Sequence, residues 1–193
     1  MLFLFHLKKK TMSRIILCLS FLAISFAAVS QKYKPVDDGS KVHFEIKNFR
    51  INTGGDLSGL AGDINFVSGN VADCSFNVSA SVNTIDTDNG SRDKHLKSSE
   101  YFDAEKYPVI TLKSTKIYPT NKTSSGWYQF TGTLTMHGVT KPIAFPFRAT
   151  AKGIDYLFVG GFTLNRLDYG VGKNSSVLSN TVKVSISVLA KKS

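Results

Sequence analysis

The residues best equipped for chemistry fall in two short runs, "SRDKHLK" (91–97) and "NRLDYG" (165–170). Arg92, Asp93 and His95 in the first, with Arg166 and Asp168 in the second, admit two uses. An Arg or His at the rim of a pocket can hold a polar head group by charge-assisted hydrogen bonds. Alternatively, two Arg and two Asp are balanced for ion pairing and would pin one segment to another. Hydrolysis needs a nucleophile beside a base that a third group orients. No G-x-S-x-G occurs, and nothing groups Ser, His and Asp, so a hydrolase acting through His95 or Asp93 is the less favoured alternative and no catalytic residue is assigned. His43, His95 and His137 lie far apart along the chain, and no metal site is expected from them. The run "DTDNGSRDKHLK" (86–97) begins like a calcium loop, but its Gly comes one position early and Lys97 replaces the closing Glu.

The elements that must position these residues are mostly strands. "KVHFEIKN" (41–48) places Val42, Phe44 and Ile46 on one face and His43, Glu45 and Lys47 on the other. The same two-residue period runs through "CSFNVSASV" (74–82), "WYQFTGTLTM" (127–136), "KPIAFPFRATA" (141–151), "YLFVGGFTL" (156–164) and "TVKVSISVLA" (181–190). "NTGGD", "VSGN", "PTNKTSSG", "MHGV" and "GVGKNSS" read as turns between them. Gly59, Gly62, Gly132 and the pair Gly160–Gly161 suit bends or bulges in a curling sheet. One segment breaks the pattern. Ser91 can cap a short helix over about 91–98, Asp93 suits its first turn, and Pro108 returns the chain to extended form. Regularly spaced amphipathic strands with polar turns argue for an antiparallel sandwich or barrel, and in a barrel this helix and the aromatic loop after it would cover one end.

Composition narrows the function. Residues 1–30 carry Lys8, Lys9, Lys10 and Arg14, then an apolar run (15–29) and "AVS", the pattern of a cleaved export signal, with Met12 a possible start. The remaining 31–193 form a single expected domain with a formal charge of about +6, after four positive charges and no negative ones are removed from +10. Those charges are scattered, so nucleic acid is not an expected partner. Transient contact with anionic lipid headgroups and a homodimer through an exposed edge both stay open. Cys74 is the one cysteine after the leader, which excludes an internal disulfide and leaves stability to a hydrophobic core.

Three motifs in order, "SRDKHLKSSEYFDAEKYPVITLKSTKI", "FTGTLTMHGVTKPIAFPF" and "LNRLDYGVG", resemble the YceI-like family of periplasmic polyisoprenoid-binding proteins. The likeness runs from about Lys41 to Ala190; "LSNTV" stands where the family often carries a Gly-Asp pair, and "INTGGDLSGLAGDINF" matches only loosely. The resemblance implies an all-β fold, a lipocalin-like antiparallel eight-stranded β-barrel with one short helix near residues 91–98. It also implies a periplasmic or secreted binding protein, not an enzyme, with no cofactor beyond the bound ligand. That ligand would be a long-chain isoprenoid lipid or related amphiphile, such as an isoprenoid quinone, a prenyl pyrophosphate, a fatty acid or an amide, held for transport, storage or stress response. Both polar runs match family hallmarks. Expected pore-lining residues are Phe44, Ile46, Phe66, Phe76, Val78, Leu112, Tyr128, Phe130, Leu134, Phe145, Phe147, Phe162, Leu164, Val184 and Ile186. Arg92, Asp93, His95, Arg166 and Asp168 form either a polar mouth or a structural network. A barrel packed solid with these aromatics, serving a structural or stress role without ligand, is the competing expectation.

Overall fold

In "WYQFTGTLTM" every second residue from Tyr128 to Met136 is buried and its neighbours half-exposed, because successive strand side chains point to opposite faces. The computed structural model describes residues 31–120 and 126–193, so the expected export signal (1–30) lies outside the described residues. Ten strand segments follow in chain order: β1 (Lys32–Pro35), β2 (Lys41–Asn48), β3 (Ile51–Leu57), β4 (Ala61–Asn65), β5 (Ser75–Ser81), β6 (Val109–Pro119), β7 (Trp127–Met136), β8 (Val139–Lys152), β9 (Asp155–Asn165) and β10 (Leu178–Lys192). A helix α1 (Gly90–Lys97) stands between β5 and β6.

These ten segments make an eight-stranded antiparallel barrel. β10 pairs β9 along one edge, and along the other it pairs first β2 and then β1. β1 and β2 are therefore one strand interrupted at 36–40, and β3 and β4 are its neighbour, interrupted at 58–60. The Asp37 carboxylate ties the two interruptions together, accepting from Gly59 N at 3.0 Å and Leu60 N at 2.9 Å. β4–β5–β6–β7–β8–β9 complete the ring back to β10. Closure is tight at the β1–β4 end. At the other end β3 pairs β2 alone, and a single bridge, Asp56 to Asp86, links it onward. That split end carries the segment 82–108.

Two sequence readings are corrected. "NTGGD" is strand, within β3, and not a turn. Its glycines answer crowding: a Cβ on Gly54 would meet Phe44 O at 2.5 Å, and one on Gly55 would meet Asp86 O at 2.6 Å. The helix cap is Asn89, whose side chain accepts from Arg92 N at 3.0 Å, while Ser91 sits inside α1. Gly132 does mark a bulge: β6 slips register between Ser114 and Lys116 opposite it, where any Cβ would fall 2.1 Å from Lys113 O.

The core lies inside the ring. Its densest part is an aromatic floor at the β1–β4 end. Phe66 is 0 % exposed and meets Tyr128, Tyr156 and Phe158 edge-on with ring centroids 5.2, 5.1 and 5.2 Å away. Tyr33 packs on Tyr156, and buried Cys74 sits beneath, donating to the carbonyls of Val67 and Asn70. Burial pushes the Cys74 thiol upward, so it behaves as a small apolar residue.

Candidate functional site

Above the floor the barrel is hollow. A cavity of about 400 Å³ runs from Phe76, Phe147 and Phe158 upward to Tyr101, His95 and Arg166. That volume falls within the ~300–1,000 Å³ common for small-molecule sites. Along β10 its wall runs from Val188 to Leu178. At ~3.3 Å per residue and a tilt near 40°, this is a depth of order 25 Å. Of the expected lining residues, all border the cavity except Phe66 and Tyr128, which are floor. Phe130 and Phe145 stack at 4.9 Å, and Phe145 tilts against Phe162 at 5.0 Å, so the wall is aromatic in its middle course. Val42, Ile110, Met136 and Phe158 also line it. Period-two continuation from Phe44, Leu112, Leu134 and Phe162 points to each of them.

The segment 82–108 roofs the split end. Val82, Ile85 and Ala104 bury themselves against Phe44, Leu57, Leu96 and Phe102, anchoring the roof to the wall. Leu96, Tyr101 and Phe102 then face the cavity. Phe102 N donates to Leu96 O at 3.0 Å, folding the aromatic loop back under α1.

Polar residues gather at this end, but not as Arg–Asp pairs. Among the described residues the ion pairs are Lys34–Asp63, Lys41–Asp56, His43–Asp56 and His95–Glu100. Arg92 donates from Nε to Thr87 Oγ1 at 2.8 Å and from Nη2 to the Thr87 carbonyl. Asp93 accepts from Thr87 N at 2.9 Å and from its hydroxyl. Thr87 thus stands between the Arg and the Asp expected to pair, and α1 is pinned through it. Three of the five Arg92 donors have no acceptor among the described residues.

Arg166 is the more unusual group. Its side chain is 3 % exposed and lines the cavity. It donates to the carbonyls of Ser179 (3.0 Å), Val171 (2.8 Å) and Lys173 (2.7 Å) and to Asn180 Oδ1 (3.0 Å). Four of five donors are met by neutral oxygens, with no carboxylate in contact among the described residues. Burial pushes the guanidinium below its ordinary value, which for Arg still leaves it charged. Asp168 is exposed on the 3-10 turn of Arg166–Tyr169 and does not reach the cavity. His95 borders the mouth, with its ring edge-on to Tyr101 at 4.8 Å and Nε2–H donating to Glu100 at 3.1 Å. That hydrogen bond holds the Glu100 carboxyl below the usual range.

The three histidines stay apart. His43 faces outward on β2 against Asp56, and His137 sits in the β7–β8 turn with Nδ1–H donating to Tyr169 O at 3.1 Å. No group of three or more metal-capable side chains forms among the described residues. The site is therefore a deep apolar well with a cationic rim.

A protein family described as YceI-like domain matches residues 33–190. A UPF0312 protein of Vibrio parahaemolyticus is 35% identical over 123 residues, which is 61% of this chain and 64% of that relative, so the match leaves over a third of it unspanned. Among solved structures, BcnA of Burkholderia cenocepacia superposes with a TM-score of 0.73 at 23% identity, covering 79% of this chain and 96% of BcnA. A polyisoprenoid binding domain from Saccharophagus degradans, implicated in plant cell wall breakdown, superposes with a TM-score of 0.67 at 15% identity, over 83% of this chain and 98% of that domain. At those identities the two structures establish a shared fold.

Proposed function

This chain belongs to the YceI-like domain family, and from that premise we propose that it is an exported binding protein for a long-chain isoprenoid lipid or related amphiphile, not an enzyme. The single observation that carries the reading is the well itself, apolar from floor to rim and edged by Arg92, His95 and Arg166. An isoprenoid or acyl tail entering it gains about 0.8 kcal/mol per buried methylene, less the cost of ordering the chain. The head group then stays at the rim. Arg92 offers free donors there, and Arg166 adds a buried positive charge, so a pyrophosphate, carboxylate or quinone oxygen is favoured over an apolar terminus. The polyisoprenoid binding domain that shares this fold supports the ligand class. The leader pattern in residues 1–30 supports export to the periplasm or outside.

The test is native mass spectrometry of protein made in cells rich in long-chain isoprenoids, with extraction of whatever is bound. A stoichiometric prenyl species is expected. A fatty acyl ligand would keep the barrel's role and widen its specificity. Protein that is clean and also refuses added long-chain lipids would sink the reading. Changing Arg92→Ala is expected to lower affinity for farnesyl pyrophosphate about ten-fold and for farnesol little. Equal losses would make Arg92 a purely structural pin.

A further inference from the structure

The largest exposed apolar side chains at the mouth sit where folding gives no reason for them. Phe49 and Ile51 are each 69 % exposed, at the tip of the β2–β3 hairpin. The turn is a tight two-residue one, with Asn48 paired to Ile51 and both Phe49 (φ 49) and Arg50 (φ 67) in the left-handed region. Asn or Gly suits those positions, and a bulky aromatic is strained there. Burial contributes little and the backbone is disfavoured, so the Phe answers to something outside the fold. Phe49 N donates to Val177 O at 3.0 Å, which brings a third exposed apolar residue, 38 % accessible, to the same corner.

The surroundings of this corner are basic. Residues 46–53 and 171–184 contain Lys47, Arg50, Lys173 and Lys183, all exposed; two carboxylates border them, Glu45 paired across from Lys183 and Glu100 within the field of Lys173, which leaves cations in excess. Ile154, comparably exposed at the opposite end, stands alone beside Asp155. The corner also adjoins the well: Ile46, Asn48, Thr53 and Leu178 line it immediately behind the tip. Here β3 has no sheet partner beyond β2 before the bridge at Asp56.

We propose that Phe49, Ile51 and Val177, ringed by Lys47, Arg50 and Lys173, form a docking tip for an anionic lipid bilayer. The apolar side chains enter the headgroup–acyl boundary and the cations engage lipid phosphates, which sets the mouth of the well against the lipid it draws from. The purpose of this docking rests on the amphiphile-binding reading; the docking itself can be tested separately.

Co-sedimentation of the purified protein with phosphatidylglycerol-containing vesicles is expected, with weaker binding at high salt and on neutral phosphatidylcholine vesicles. The double variant Phe49→Asn/Ile51→Ser, whose first change suits the turn, is expected to lose vesicle affinity about ten-fold or more. Its unfolding midpoint should be no lower than wild type, and its affinity for soluble dansylaminoundecanoate should be unchanged. A double variant that still binds vesicles like the wild type overturns the proposal. So does wild-type protein that ignores vesicles, including the case where the tip instead drives a dimer that the double variant loses. Vesicle docking by a protein that takes up no dansyl probe would leave the tip standing and remove the amphiphile reading.

Discussion

Arg166 shows how a charge is held in an apolar wall without a counter-ion. Three carbonyls and one amide oxygen surround it; removing the guanidinium would leave the buried Val171 carbonyl without a partner and loosen three part-buried acceptors. Arg166→Ala is therefore expected to cost about 3 kcal/mol or more by urea unfolding. Arg166→Lys should recover little, because one ammonium cannot span acceptors arranged for a planar fork. A near-neutral Arg166→Ala would mean that water replaces the guanidinium freely. Asp56 contributes a pH dependence. Burial works to raise its carboxyl, but hydrogen bonds and charges from His43 and Lys41 outweigh this and hold it below the ordinary range. A carboxylate lowered by folding contributes stability above the ordinary value near ~3.9 and loses it as pH falls through the lower, folded value. The wild-type melting temperature is thus expected to fall across this acid window more steeply than that of Asp56→Asn, by a modest margin since the pair is half-exposed. Parallel curves would show that the contact carries no stability. The residues of both polar runs could be picked out by type and spacing. Their partners could not, because Thr87 and the Val171 and Lys173 carbonyls are contributed by loops, and Ser179 by the irregular start of β10, whose paths only the fold sets.

At the scale of elements, floor and wall can be separated by mutation. Phe66→Ala removes the hub of the aromatic floor and is expected to cost about 3–5 kcal/mol while deepening the well. Phe162→Trp adds bulk to a half-buried wall position, so long-chain probe binding should fall while the unfolding midpoint holds. If the tryptophan destabilises as much as the alanine, the well is not spare volume. Long alternating strands were legible in the sequence, as in β7 and β10. β1 was not, since "KYKP" offers four residues and a Pro. β3 reads as a turn because its Gly-Gly pair imitates one, when glycine is there to let Phe44, the Asp86 carbonyl and the Thr87 methyl come close. Alternation tells which side of a strand faces inward, but not how far along the axis a residue lies. Phe66 and Tyr128 therefore read like Phe130 or Phe162 although they are floor.

For the whole molecule, barrel closure follows from one long strand holding two short ones end to end. β10 spans fifteen residues and gives its edge to β2 and then to β1, and β3 and β4 follow those two end to end, so ten segments count as eight strands. The aromatic floor has a further effect. A tube stopped at one end cannot pass cargo through; whatever goes in must come out by the same door. A tail-first guest leaves head-first, with its polar end always nearest the exit, so delivery requires no turning inside the barrel. Such a vessel also gauges length. Homologous prenyl alcohols should bind more tightly with each added unit until the tail meets Phe76 and Phe158, then gain nothing further, and a titration series would show the step as a plateau.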